Sequence, residues 1–322
     1  MIIEIPTAED FADASLNLLL LAWQIVLGPI NRLSAINQEI DSFPDDGGQF
    51  LDELHEERNS QMRRMQPSLG NCLTLVQQSI ELSIKGRIAS VSPYLLIVRD
   101  NRESLKIKPG NDILFSDFRT VDATDLFRLH NVVCDSPLNG DFNRFSDEIR
   151  RQRNKIMHSA PGNKLIEPKE ILLHILKINN ELFSDKMWAN RVLDHYKKDK
   201  YSSLIYGRDF SYGSALEDID MAIGALAPKD VKKYFAFDRR VRSYICPICL
   251  DEVDRKYQRD QVPAFAQLKT KEPNSEYLYC FVCNKNSKVV RRRCLSPGCK
   301  SNVISAEHDT AGMCLICCEE SE

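Results

Sequence analysis

The chain lacks a basic coat, a long unbroken apolar run and, through its first three quarters, nearly all cysteine. Forty-three Lys/Arg face 46 Asp/Glu, for a net charge of −3. That excludes a globally basic nucleic-acid binder but not a local basic patch. The longest apolar stretch, "LNLLLLAWQIVLGPI", is cut by Gln24 and then by Gly28-Pro29. It falls short of the roughly 20 apolar residues that span a bilayer. The N-terminus "MIIEIPTAEDFADAS" has no basic segment of the secretory kind. The expectation is a cytoplasmic protein with no membrane attachment. Phosphate loop, dinucleotide fingerprint and G-x-S-x-G elbow are also missing, and "GRDFSYGS" has glycines without a phosphate-loop pattern.

What remains is 322 residues, 43% of them hydrophobic, enough for about two domains. Residues 7–197 read as mainly α, a helical bundle. "AEDFADASLNLLLLAWQIVLGPINRLSAINQEI" has helical spacing, with a kink expected at Pro29. "FPDDGG" is a turn, and "QFLDELHEERNSQMRRMQ" a charged helix ending before Pro67. "CLTLVQQSIELSIKGRIASV" starts another, with Leu73, Val76, Ile80 and Ile84 as its stripe. Residues 92–120 read as a short strand pair or an irregular insert. "VDATDLFRLHNVV" opens on a cap signal. "DFNRFSDEIRRQRNKIMHS" is a helix stopped by "APG". "EPKEILLHILKINNELFSDKMWANRVLDHY" is one more, with Leu172, Ile175, Leu176 and Ile178 facing a core. Residues 198–240 connect to a module at 241–322, with "SALEDIDMAIGAL" as a short helix on the way. That module has few apolar residues and needs a staple.

Within "RRQRNKIMHSA", Arg153 and His158 have four residues between them, and Asn154 follows the arginine. On a wheel of about 100° per residue, Phe145 and Ile156 flank Ile149 in a buried stripe. Arg153 then lies at the edge of that stripe, and Asn154 and His158 share the neighbouring face. Three polar groups therefore converge near a helix end. An earlier helix carries Glu81 and Lys85 at i,i+4, and a surface ion pair explains that spacing equally well.

The Arg153-Asn154-x-x-x-His158 segment, with the earlier Glu81-x-x-x-Lys85 element, resembles the HEPN family of all-helical nucleotide-binding domains and ribonucleases. The resemblance spans about residues 10–197. Two departures stand out: the insert near 92–120, and "SAPG" where some members carry a tyrosine soon after the histidine. The resemblance implies a metal-independent endoribonuclease active as a homodimer. It also implies a toxin or antiviral defence effector, with RNA as substrate and an antitoxin or activating protein as a further partner. Arg153, Asn154 and His158 would be the catalytic set, with Glu81 and Lys85 supporting. The chemistry suits the residue types: His moves protons near neutral pH, and Arg forks onto phosphate oxygens.

Nine of the eleven cysteines follow residue 245. Cys246/Cys249, Cys280/Cys283, Cys294/Cys299 and Cys314/Cys317 form four pairs that suit two structural zinc ions, four thiolates each. Sequential pairing is favoured and interleaved pairing is possible. Cys318 is spare and His308 an outside candidate ligand. Residues 239–300 carry 14 Lys/Arg against 6 Asp/Glu. Arg291, Arg292 and Arg293 are candidate RNA contacts; the alternative is that these cations offset the negative charge of the thiolate sites. The competing functional reading is a non-catalytic dimeric adaptor, with ribbons that bind nucleic acid or protein. Cys72 and Cys134, and His55, His130, His174 and His195, read as structural.

Overall fold

A computed structural model describes residues 1–43, 48–98, 112–158 (without the side chains of Met157 and His158), 165–199, 201, 204–205, 210–253, 262–269 and 275–321. The chain divides into two compact units, Met1–Leu182 and Phe183–Glu322. Both the mainly α class and the small cysteine-rich sheet module match expectation.

The first unit is built on two long helices, α1 (Ala8–Ser42) and α2 (Gly48–Val91). Thr7 and Asp10 start α1 with a reciprocal capping box: Thr7 Oγ1 accepts from the Asp10 amide at 3.1 Å, and Asp10 accepts from the Thr7 amide at 2.8 Å. Length and composition alone would let α1 cross a membrane. In the fold its stripe of Leu19, Ala22, Trp23, Val26 and Leu27 is buried. The facing stripe of α2 holds Leu73, Val76, Ile80 and Ile84, all buried as expected. Each such side chain contributes about 1.5–3 kcal/mol by leaving water. Gly86 permits the approach: a Cβ there would stand 3.0 Å from Phe11 Cβ and 3.1 Å from the Ala8 carbonyl. Ser15 then donates to the Ser79 carbonyl at 2.8 Å.

Pro67 does not end a helix, contrary to the sequence reading. It lies inside α2, as Pro29 lies inside α1. A proline removes one ladder bond, but Met65, Leu69 and Cys72 are buried on either side, and that packing carries the helix through. Cys72 behaves as a small core residue, with its thiol 3.6 Å from the Ala22 carbonyl.

After a 3-10 turn at Pro93–Leu96, Ile97 bridges Thr120. Two-residue strands β1 (Ile2–Ile3) and β2 (Ile113–Leu114) pair in parallel. The rest of the expected insert, 99–111, lies outside the described residues, as does the "APG" stop after α4. Helix α3 (Ala123–Val133) begins at Asp122, whose carboxylate binds Arg119 at 2.7 Å rather than capping the helix. Helices α4 (Gly140–His158) and α5 (Pro168–Leu182) complete the unit. Leu172, Ile175, Leu176 and Ile178 are buried on α5. The single helix expected over 167–196 is in fact two. Arg87 caps the end of α5 by donating to the carbonyls of Glu181 and Leu182, at 3.2 and 2.8 Å.

The second unit starts with α6 (Trp188–Lys198), so the unit boundary lies ahead of the expected one at 197. Asn190 explains the assignment: its amide donates to the carbonyls of Phe281 and Val282, each at 2.8 Å. The segment 198–240 is more than a connector. It contains α7 (Phe210–Ala225) and α8 (Pro228–Phe235), and Tyr212, Leu216 and Ile219 are buried. Tyr196 donates to Asp218 at 2.9 Å, tying α6 to α7. Beyond a short helix α9 (Pro247–Glu252), strands β3 (Ala266–Leu268), β4 (Tyr277–Cys280), β5 (Lys285–Val290) and β6 (Ile304–Ser305) form an antiparallel sheet in chain order.

Candidate functional sites

Helix α4 lies on α2 with Ile149 buried, as the wheel requires. Phe142 is buried about two turns earlier. Ile156 departs from expectation and is 39% exposed. Its Cγ2 lies 3.2 Å from where a Cβ on Gly70 would stand, so only one side of it is covered.

Arg153 is part-buried at this seam. Its Nε donates to Gln77 Oε1 at 2.6 Å, and its Nη1 donates to Asn154 Oδ1 at 2.8 Å. Gln77 is 4% exposed and turns its amide nitrogen to Glu81. A chain of polar groups thus runs Glu81, Gln77, Arg153, Asn154. The amide orientation follows from the charges, since a carboxylate only accepts and a guanidinium only donates. Glu81 and Lys85 do not pair: Lys85 donates to Thr120 Oγ1 at 2.9 Å. Glu81 joins the arginine through Gln77, and Lys85 lies outside that chain. His158 is the last residue of α4, one turn beyond Asn154, and its side chain lies outside the described residues.

Gln77 escaped the sequence reading. Its signal was a polar residue at i+4 from Leu73 and i−3 from Ile80, on the apolar stripe of α2. A cleft beside it is lined by Glu81, Ala123, Ser146, Asp147 and Arg150, the last two ion-paired at 2.9 Å. Carboxylate, amide and guanidinium groups therefore meet along one helix seam. Such a seam fixes the Arg153 side chain in place.

The cysteines form two sets of four. Cys246, Cys249, Cys280 and Cys283 make one; Cys294, Cys299, Cys314 and Cys317 make the other, with the sulfurs of each set within 4.8 Å of one another. The pairing is sequential. Four thiolates about 2.3 Å from a tetrahedral ion lie about 3.8 Å apart. The closest pairs match: 3.8 Å for Cys246–Cys283 and Cys249–Cys280, 3.7 Å for Cys294–Cys317, and 3.8 Å for Cys299–Cys314. Contacts with Cys246, with burial added, push the Cys249 and Cys280 thiols well above their ordinary value. Four adjacent thiolates require a cation among them, and both sets are compatible with structural metal. His308 is 99% exposed and belongs to neither set, and Cys318 stands outside both.

The arginine run is partly committed within the fold. Arg291 donates to Asn302 at 3.1 Å and to the Ser275 carbonyl at 3.5 Å. Arg292 donates to the Ser321 carbonyl. Arg293 is exposed. Among the structural histidines, His130 is buried, with Nδ1 3.0 Å from Asn131 Oδ1.

No protein-family model, no curated protein and no solved structure matches this chain.

Proposed function

We propose that this protein is a metal-independent endoribonuclease of HEPN-like type, with two zinc ions holding its C-terminal module. The observation that carries the reading is the polar chain Glu81–Gln77–Arg153–Asn154, which leads along α4 toward His158. A surface arginine has no need of a buried glutamine to fix its Nε. An arginine that must meet a phosphate at a set angle does.

The chemistry follows from the residue types. A base removes the proton of the ribose 2′-OH, and the 2′-oxygen attacks phosphorus. The 5′-oxygen leaves with a proton from an acid. The products are a 2′,3′-cyclic phosphate and a 5′-OH. His158 serves as general acid or base, Arg153 balances charge on the phosphate oxygens, and Asn154 orients its neighbours. One histidine per chain is too few for both proton transfers. A two-fold homodimer supplies the second, and the exposed Ile156 beside Arg153 suits such an interface. The zinc ions supply only structure, since a four-thiolate site leaves no open position for water. The setting is cytoplasmic, as a toxin or antiviral effector restrained by an antitoxin or released by an activating protein.

Induced expression in a bacterial host tests this. The wild type is expected to arrest growth and degrade RNA, and Arg153→Ala and His158→Ala to do neither at equal protein level. Equal growth and intact RNA with all three proteins would favour the adaptor reading.

A further inference from the structure

The two four-cysteine sets differ in what surrounds them. Around the first, Cys246, Cys249 and Cys280 are 2%, 1% and 1% exposed. Phe281, inside its second knuckle, packs against Phe235, Phe237 and Phe265 with ring centroids 5.3–5.6 Å away. Asn190 holds the carbonyls of Phe281 and Val282. This set is enclosed by an aromatic core.

The second set is less covered at its cysteines. The buried cluster there is Cys294, Ile304 and Cys314, with Cys299 and Cys317 only partly covered. An open groove runs alongside, lined by Ser296, Pro297, Gly298, Lys300 and Glu319 as well as Cys299 and Cys317. Leu295, at the knuckle, is 68% exposed. Two of the four cysteines are therefore only partly covered, each next to a more buried partner: Cys317 is 3.7 Å from Cys294, and Cys299 is 3.8 Å from Cys314.

We propose that the second set, Cys294, Cys299, Cys314 and Cys317, is a thiol-oxidation site that reacts with peroxides and gives up its zinc, while the first set keeps its own. The partly covered Cys317 thiolate attacks a peroxide oxygen, which breaks the O–O bond and yields a sulfenic acid and hydroxide. The neighbouring Cys294 thiolate then attacks that sulfur, forming the disulfide and expelling a second hydroxide. Two thiolates lose one electron each, and hydrogen peroxide takes up both. Two ligands remain, too few to hold the ion. The buried cluster at the site is Cys294, Ile304 and Cys314, and the 294–317 segment loosens when the ion leaves. Exposure favours the second set in both metal exchange and oxidation.

The proposal rests on zinc in both sets, so zinc is counted first by native mass spectrometry of the full chain. Hydrogen peroxide is then added while a colorimetric zinc indicator follows release. The expected result is one zinc per chain released at least tenfold faster than the other. Peptide mapping at the end of the fast phase should place the disulfide among Cys294, Cys299, Cys314 and Cys317. Cys317→Ser should remove the fast phase and leave the slow one. Release of both ions at one rate, first oxidation at Cys246–Cys283, or fewer than two zinc ions at the outset would overturn it. Loss of RNA cleavage plays no part in this readout, so failure of the nuclease reading stays separate.

Discussion

Gln77 accepts a 2.6 Å hydrogen bond from Arg153 Nε, across 76 residues of sequence and between two helices. A hydrogen bond to a charged group contributes about 1.5–3 kcal/mol. Gln77→Leu keeps the size, removes the acceptor and leaves the Nε of a part-buried guanidinium without its partner. The expected outcome is a loss of about 1–3 kcal/mol in urea unfolding and a fall of at least tenfold in RNA cleavage. A Gln77→Leu protein that cleaves at the wild-type rate would show that the bond only fastens α4 to α2.

Metal content is the next test. Native mass spectrometry should find two zinc ions per chain. Stripping both with a strong chelator should abolish the near-ultraviolet signal of the aromatic group around Phe281 and leave most of the helical signal, because α1 to α5 contain no proposed ligand. One ion per chain, with four cysteines open to alkylation, would contradict the account.

Acid should weaken the fold through two histidines. Burial, with the Lys177 charge added, holds His174 down to about 4 from 6.5, and its Nδ1 has no hydrogen-bond partner among the described residues. Burial also lowers His130. Burial disfavours the charged form of both in the folded chain, while the unfolded chain binds protons below about pH 6.5. Stability is therefore full above 6.5 and is lost as pH falls toward 4. For His174 the contribution is on the order of 2–3 kcal/mol. Urea midpoints from pH 7.5 to 4.5 should fall accordingly, and His174→Phe should flatten the curve. An equal acid loss in that variant would place the effect elsewhere.

Much of this arrangement was legible in the residues. Period-3.6 stripes marked the buried faces of α2 and α5, and knuckle spacing marked both cysteine sets, because local geometry dictates each. Longer-range effects were not legible. Pro67 looked like a break because the tertiary packing of Met65 and Leu69 is invisible in a local pattern. The 167–196 segment looked like one helix because Arg87, which caps it at Leu182, comes from far upstream. Ile156 fitted the stripe by angle, yet it meets α2 at Gly70, which has no side chain to cover it, and is 39% exposed. Glu81 was matched to Lys85 by spacing, whereas the fold offers it Gln77. The path from Asn154 to His158 rests on helix periodicity alone.

Assembly gives a further check. If the site is shared across a two-fold axis, mixing Arg153→Ala with His158→Ala chains should restore part of the activity, and Ile156→Glu should shift the protein toward monomer by sedimentation. Full activity from a monomer at micromolar concentration would rule out the shared site.

The most direct measurement is the chemistry of the cut ends, made in EDTA at a level that leaves the zinc modules intact. The account predicts unchanged cleavage by the wild type and none by His158→Ala. The fragments should carry a 2′,3′-cyclic phosphate or 3′-phosphate on one side and a 5′-OH on the other. Fragments with 5′-phosphate and 3′-OH ends, or activity lost to EDTA and regained with magnesium, would contradict it and remove His158 from its assigned role.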